Sequence, residues 1–386
     1  MPIPPDMMPI RIGWPSLWLI CLIAFAPAGE GDWTRALSES GDAMIAAGSL
    51  SDRERINSVR GLACLLLVAF HSVTSATEAM GHGDRTLSLI AEQAFLSIRM
   101  PLFSMIAGCI YAMHPVAPGG YARFVRKKGW RILVPCIFTT IILILAKNML
   151  GRRAPCDTDC MLGHLVLPYE HLWFLPAIFC VFVAAAALDV LFPQQRRRAT
   201  LIALAAACLL FFSPLRQIQA YAIGNAFYLA PFFFGGAAIY LFRDEITPRM
   251  ARGWPWLLAA TIIVYAINFT LMARGMSSGR DSLAALALGL LACGGLLIFF
   301  PRIGLLARIG VYSFTIYLYH FVFLSLANRI GFDLFSVTAI GIVLGLAGPI
   351  LVEVAMMRFA PALGFLIGQP RRRPRSEPSL ALSGGG

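Results

Sequence analysis

Apolar residues in this chain run in long blocks, and the polar residues between them are gathered into short, cation-bearing loops. Neither the period of a half-buried strand nor the single stripe of a surface helix accounts for blocks that are apolar all round. Ten of them reach, or nearly reach, the ~17–25 residues that a bilayer-crossing helix needs. They are residues 58–77, 94–113, 131–150, 171–192, 199–215, 225–242, 254–274, 281–300, 310–328 and 334–357. The pattern predicts an all-α, polytopic integral membrane protein of about ten transmembrane helices, occupying residues 51–358. Residues 1–50 read as an N-terminal extension. Residues 359–386, Pro-, Arg- and Gly-rich beyond Gly368, read as a disordered basic tail.

Composition agrees. Of 386 residues, 58% are hydrophobic and 13% charged, far from a soluble globular chain. The net charge of +12 does not indicate nucleic acid, because the cations sit in short runs between apolar blocks and no recognition motif accompanies them. Their distribution sets an orientation instead. One side carries Arg53 and Arg55, the loop at 123–131, Arg196 to Arg198, Arg243 to Arg252, Arg302, Arg308, Arg358 and the terminal cluster. The loops on the other side have fewer cations and mix them with acids. Both termini are therefore expected in the cytoplasm, which needs an even number of spans. The extension opposes this, since Arg11, the run Leu17 to Phe25 and Ala26-Pro27-Ala28 imitate a short signal peptide. It reads as a dispensable segment ahead of an alternative start at Met44, or as an interfacial helix.

Most of the nine cysteines lie inside apolar blocks, where Cys behaves as a small hydrophobe. Only Cys156 and Cys160 share a polar loop. They suit a disulfide in an oxidising compartment or two free thiols. With neither a second Cys pair nor a suitably placed His, no metal site is expected.

The first block holds the most informative pair. Arg60 and His71 are eleven residues apart, which on a helix is three turns plus roughly 20°, so they share a face about 16 Å apart along the axis. Ionisable groups at such depths are costly and mark functional sites. A neutral imidazole is suited to taking a proton from a hydroxyl; the bland reading is a hydrogen bond between helices. Arg60 either snorkels to headgroups or grips a phosphate or carboxylate. The loop FVRKKGWRILVP adds Arg123, Arg126, Lys127, Lys128 and Arg131 beside it. That density suits a polyanionic ligand or anionic lipid equally well.

Further candidates line later blocks. Arg99 stands in an apolar run beside the helix-breaking Pro101 and must face protein or water. His171 and Trp173 open the fourth block, where an interfacial anchor and a sugar-gripping mouth are both reasonable readings. Ser313, Tyr317 and His320 follow i, i+4, i+7 as one polar stripe, suited to a site or to interhelical bonding.

Together these segments resemble the integral-membrane acyltransferase-3 family. SVRGLACLLLVAFHS, RMPLFSMIAGCIYA, FVRKKGWRILVP, HLWFLPAIF, LAPFFFGGAAIY and SFTIYLYHF are similar to that family's signature segments, in the same order, over about residues 52–357. The resemblance implies ten core helices in a bacterial cytoplasmic or inner membrane. It also implies transfer of an acyl group, usually acetyl, from cytoplasmic acyl-coenzyme A to a hydroxyl of a surface or exported carbohydrate. No bound cofactor is implied; acyl-CoA is a co-substrate. His71 matches the family's essential histidine and Arg60 its first-helix arginine. The paired arginines of the basic loop fall on Lys128 and Arg131, with Arg123 and Arg126 offering a second pair. The rival reading is a transporter or flippase for a glycan or small polar solute, though the two halves show no matching broken helices.

Overall fold

Each of the ten apolar blocks coincides with a helix. The computed structural model describes residues 50–79, 96–149, 157–274, 279–330 and 333–369, and among them every regular element is helical. The extension up to residue 49 and the tail from residue 370 lie outside the described residues. The elements are α1 (Leu50–Ala79), α2 (Arg99–Met113), α3 (Tyr121–Met149), α4 (Thr158–Val166), α5 (Phe174–Leu191) and α6 (Arg196–Leu210). There follow α7 (Ile223–Leu241), α8 (Arg243–Ala273), α9 (Leu283–Phe299), α10 (Gly304–Val311), α11 (Ser313–Ile330) and α12 (Leu334–Phe359).

Six described segments are long and apolar enough to cross a bilayer, or seven if α9 and α10, bent by 113°, are one span. The difference from ten has local causes. α2 and α6 have 15 residues each, about 22 Å of helix. α11 spends apolar character on His320, Asn328 and Arg329.

Close helix crossings hold the bundle. α2 packs on α7 where Gly108 and Gly236 let the backbones meet. A Cβ on Gly108 would lie 1.9 Å from the Phe233 carbonyl oxygen, and one on Gly236 1.9 Å from that of Met105. Small residues serve this purpose where lipid supplies no hydrophobic drive between helices. The Ser104 hydroxyl donates to the Leu229 carbonyl at 2.9 Å across the same crossing. α1 packs against α10, α11 and α12. Around His71, the Ser72 hydroxyl donates to the Thr338 carbonyl at 2.8 Å and the Asn328 amide to the Ser75 hydroxyl at 2.9 Å. The exterior is apolar: Leu209, Trp256, Phe335 and Phe359 are all more than three-quarters exposed. Such a surface is suited to lipid.

Two acids inside the apolar blocks, Asp189 and Glu353, are satisfied by partners from other segments. Asp189 accepts from the Tyr111 hydroxyl at 2.5 Å, the Val116 N–H at 3.1 Å and Arg196 Nε at 2.9 Å. Glu353 accepts from the Thr315 hydroxyl at 2.5 Å and the Gln369 amide at 2.9 Å. The Gln369 contact corrects the expectation of a tail disordered from residue 359. Pro361–Ile367 forms a 3-10 helix, Tyr319 donates to the Leu366 carbonyl, and Arg131 Nε donates to the Gly368 carbonyl at 3.3 Å. Gly368 adopts a φ of 69°, and a side chain there would meet Phe314 and the Arg131 backbone. The stretch is ordered because its backbone acceptors meet donors from α3 and α11.

The loop after α3 also contains a helix the apolar pattern does not announce, α4, capped by the Asp157 carboxylate accepting the Cys160 N–H at 2.9 Å. Cys160 is disulfide-bonded. Cys156 lies outside the described residues.

Candidate active site

His71 faces a cavity of about 190 Å³ whose wall includes Leu67 and Phe70 of α1, Arg99 and Met100 of α2, and Tyr317 and Phe321 of α11. The 3-10 turn before α5 adds Glu170, His171 and Trp173, and Arg280 comes from the turn before α9. Glu170 and Arg280 are exposed at the mouth, whereas Arg99 and Tyr317 are buried deeper. Helix spacing explains the α1 contribution, since positions 67 and 71 lie one turn apart on one face.

Three imidazoles meet behind this cavity. The ring centroid of His71 is 5.3 Å from that of His320 and 6.4 Å from that of His171, and those two are 5.0 Å apart. Phe321 packs against all three and stacks on His171 at 4.4 Å. His320 is fully buried, with Nδ1 2.9 Å from the Ile316 carbonyl and 3.0 Å from that of Tyr317. A carbonyl only accepts, so Nδ1 carries the proton and a neutral His320 keeps its lone pair on Nε2. Among the described residues no three His, Cys, Asp or Glu side chains are placed to hold a metal ion. Tyr317 donates its hydroxyl to the His171 carbonyl, tying α11 to the turn that presents Trp173. Glu170 in that turn has a φ of 43°, a region non-glycine residues seldom occupy and one found at functional turns. The Arg99 guanidinium sits 3.4 Å from the centre of the Phe70 ring, a cation–π contact strengthened by desolvation.

A second cluster gathers at the other end of the same α1 face. Arg60, Lys128 and Arg131 lie within electrostatic reach of one another. The Lys128 ammonium is 3.8 Å from the Phe182 ring centre, and the Arg60 guanidinium donates to Asn57 Oδ1 at 3.4 Å. Arg123, Arg126 and Arg131 are exposed and Lys128 is half-buried. Helical phase puts Lys128 and Arg131 on a face of α3 shared with Phe124 and Pro135, apart from Arg123 and Arg126. Between the two clusters, Cys64 and Leu67 fill the α1 face and are fully buried.

The structure thus brings His71, Arg99, His171, Trp173 and Tyr317 to one cavity, with His320 against His71. It does not bring Ser313 there. That residue lies two turns away along α11, and its carbonyl accepts from the Cys64 thiol at 4.0 Å. Sequence reasoning missed Arg280 and Glu170 as wall residues. Glu170 stood inside the noted segment YEHLWFLPAIF, but Arg280 carried no signal beyond one charge in a short loop.

A family model described as an acyltransferase domain, that of the acyltransferase-3 family, matches residues 53–354. The chain belongs to this family. The match takes in α1 from Arg53 and nearly all of α12, so it covers both clusters and every wall of the cavity. No match was found among curated proteins, and none among solved structures. Membership makes the chain an acyltransferase built on several membrane helices.

Proposed function

We propose that this acyltransferase moves an acetyl group from cytoplasmic acyl-CoA to a hydroxyl of a surface or exported carbohydrate. The observation that carries this reading is the division of one α1 face. Cations gather at the Arg60 end, and His71 faces a cavity at the other, about 16 Å along the axis. In this reading ten helices cross a bacterial inner membrane, both termini lie in the cytoplasm, and the Arg60 end is the cytoplasmic one. Positive-inside charge supports that orientation.

Phosphates of the donor dock on Arg60, Lys128 and Arg131, with the exposed cations Arg123 and Arg126 attracting the donor from outside. The pantetheine arm follows the α1 face past Cys64 and Leu67. The thioester carbonyl then reaches His71. His71 removes the proton from the acceptor hydroxyl as its oxygen attacks the carbonyl carbon. A C–O bond forms, the C–S bond breaks, and the departing coenzyme A thiolate takes up the proton. Arg99 holds positive charge beside the carbonyl oxygen as it becomes an oxyanion. Trp173 packs on the apolar face of a sugar at the mouth.

The test is transfer from radiolabelled acetyl-CoA in membranes containing the protein, with mass spectrometry of cellular glycans with and without the gene. Acetyl ester on glycan that disappears in His71→Ala is the expected result. Glycan passage across the membrane that is unchanged in His71→Ala, without thioester loss, would establish the transporter reading instead.

A further inference from the structure

α12 ends at Phe359, and Pro361 opens the 3-10 turn that lays the chain against α3 and α11 as far as Gln369. The Gln369 N–H returns to the Gly364 carbonyl at 2.9 Å, which closes the turn with Gly368 at a φ of 69°. Glycine is required there twice over. The φ is left-handed, and a Cβ on Gly368 would stand 2.8 Å from Phe314 Cε1 and 2.9 Å from the Arg131 carbonyl oxygen. Pressed against the Arg131 backbone in this way, Gly368 offers its carbonyl to the Arg131 side chain, whose Nε–H donates to it at 3.3 Å.

The strap itself is held from three helices. The Tyr319 hydroxyl of α11 donates to the Leu366 carbonyl at 3.3 Å, and Glu353 of α12 accepts from the Gln369 amide at 2.9 Å. The Phe138 ring of α3 lies 5.6 Å from that of Phe365, centre to centre. Arg131 is exposed, and an exposed arginine ordinarily swings among many rotamers. Here its guanidinium is caught by Nε, and among the described residues Gly368 is its one hydrogen-bond acceptor. The N–H groups on Nη1 and Nη2 stay available as the paired donors that grip a phosphate. A fork already held by one edge loses less freedom on binding.

Resting on the donor-docking reading of the same cluster, we infer that Gly368 is a positioning residue for acyl-CoA, setting the Arg131 guanidinium for a phosphate of the donor. The test is equilibrium binding of coenzyme A to the full chain in detergent, with donor KM and kcat measured beside it. Gly368→Ala should weaken coenzyme A binding about fivefold and raise the donor KM alike, with kcat at saturating donor unchanged. Added to Arg131→Ala, it should weaken binding no further, because its effect passes through that side chain. Arg131→Lys keeps the charge without the fork, so it should bind as weakly as Gly368→Ala. Gln369→Ala, which cuts the Glu353 tie and spares the Gly368 turn, should give a smaller loss of the same kind and carries the test if Gly368→Ala fails to fold. Wild-type affinity in Gly368→Ala and Gln369→Ala, or losses that multiply with that of Arg131→Ala, overturns the inference. If Arg131→Ala alone still weakens binding, the donor-docking reading survives; wild-type protein that binds no coenzyme A overturns both.

Discussion

The rings of His71 and His320 stand 5.3 Å apart, and only His71 borders the cavity. The two therefore differ in what their loss removes. His71→Ala takes away the base and should lower transfer by about 10²–10⁴-fold. His320→Ala removes a fully buried neighbour whose Nδ1 is bound to the α11 backbone. It should lower turnover less, with the KM for acyl-CoA unchanged. Initial rates across a range of donor concentrations check both. Equal, complete loss in the two variants would place the base on His320 as much as on His71.

The cationic residues of α3 divide by helical phase, with Lys128 and Arg131 on one face and Arg123 and Arg126 off it. Lys128→Ala and Arg131→Ala should each raise the KM for acyl-CoA about tenfold or more, the scale of losing one charge-assisted contact to phosphate. Arg123→Ala and Arg126→Ala should change it little and mainly alter its salt dependence, because both lie off the α3 face that Lys128 shares with Arg131. Donor KM at low and high ionic strength separates the groups.

Cys64 and Leu67 occupy the stretch of α1 that the donor arm must pass. Cys64→Trp should obstruct it, raising the donor KM or abolishing transfer while binding of methyl glycosides persists. In the native chain, alkylation of Cys64 by a membrane-permeant maleimide, read by peptide mass spectrometry, should be slow and should change when acetyl-CoA is bound. A tryptophan at position 64 that leaves the donor KM unaltered would reject this route.

Two structural substitutions should act on stability instead of chemistry. Asp189→Ala leaves the Tyr111 hydroxyl, the Val116 N–H and Arg196 without their shared acceptor, at a cost of about 2–3 kcal/mol. Gly236→Val drives a side chain into the Met105 backbone, and should exceed the ~1–3 kcal/mol usual for overpacking because two backbones must separate. Thermal unfolding in detergent measures both, with donor KM in the surviving Asp189→Ala fraction expected to be normal.

The apolar blocks by themselves determined the helical class and the place of every long helix, since burial in lipid requires a sustained run of apolar residues whatever the neighbours are. The eleven-residue spacing likewise placed Arg60 and His71 on one face, because helix geometry is local. Tyr317 and His320 were legible as a stripe for the same reason. Which helix each stripe faces was not. Only the packing of α1, α2 and α11 brought His71, Arg99 and Tyr317 to one cavity, and only it left Ser313 outside. The surroundings of Lys128 also awaited the fold, because its packing on Phe182 joins residues far apart in sequence. Arg280 and the ordered strap at 361–369 depended on the tertiary structure entirely. Their positions rest on contacts with residues far away in sequence, and no local pattern encodes those.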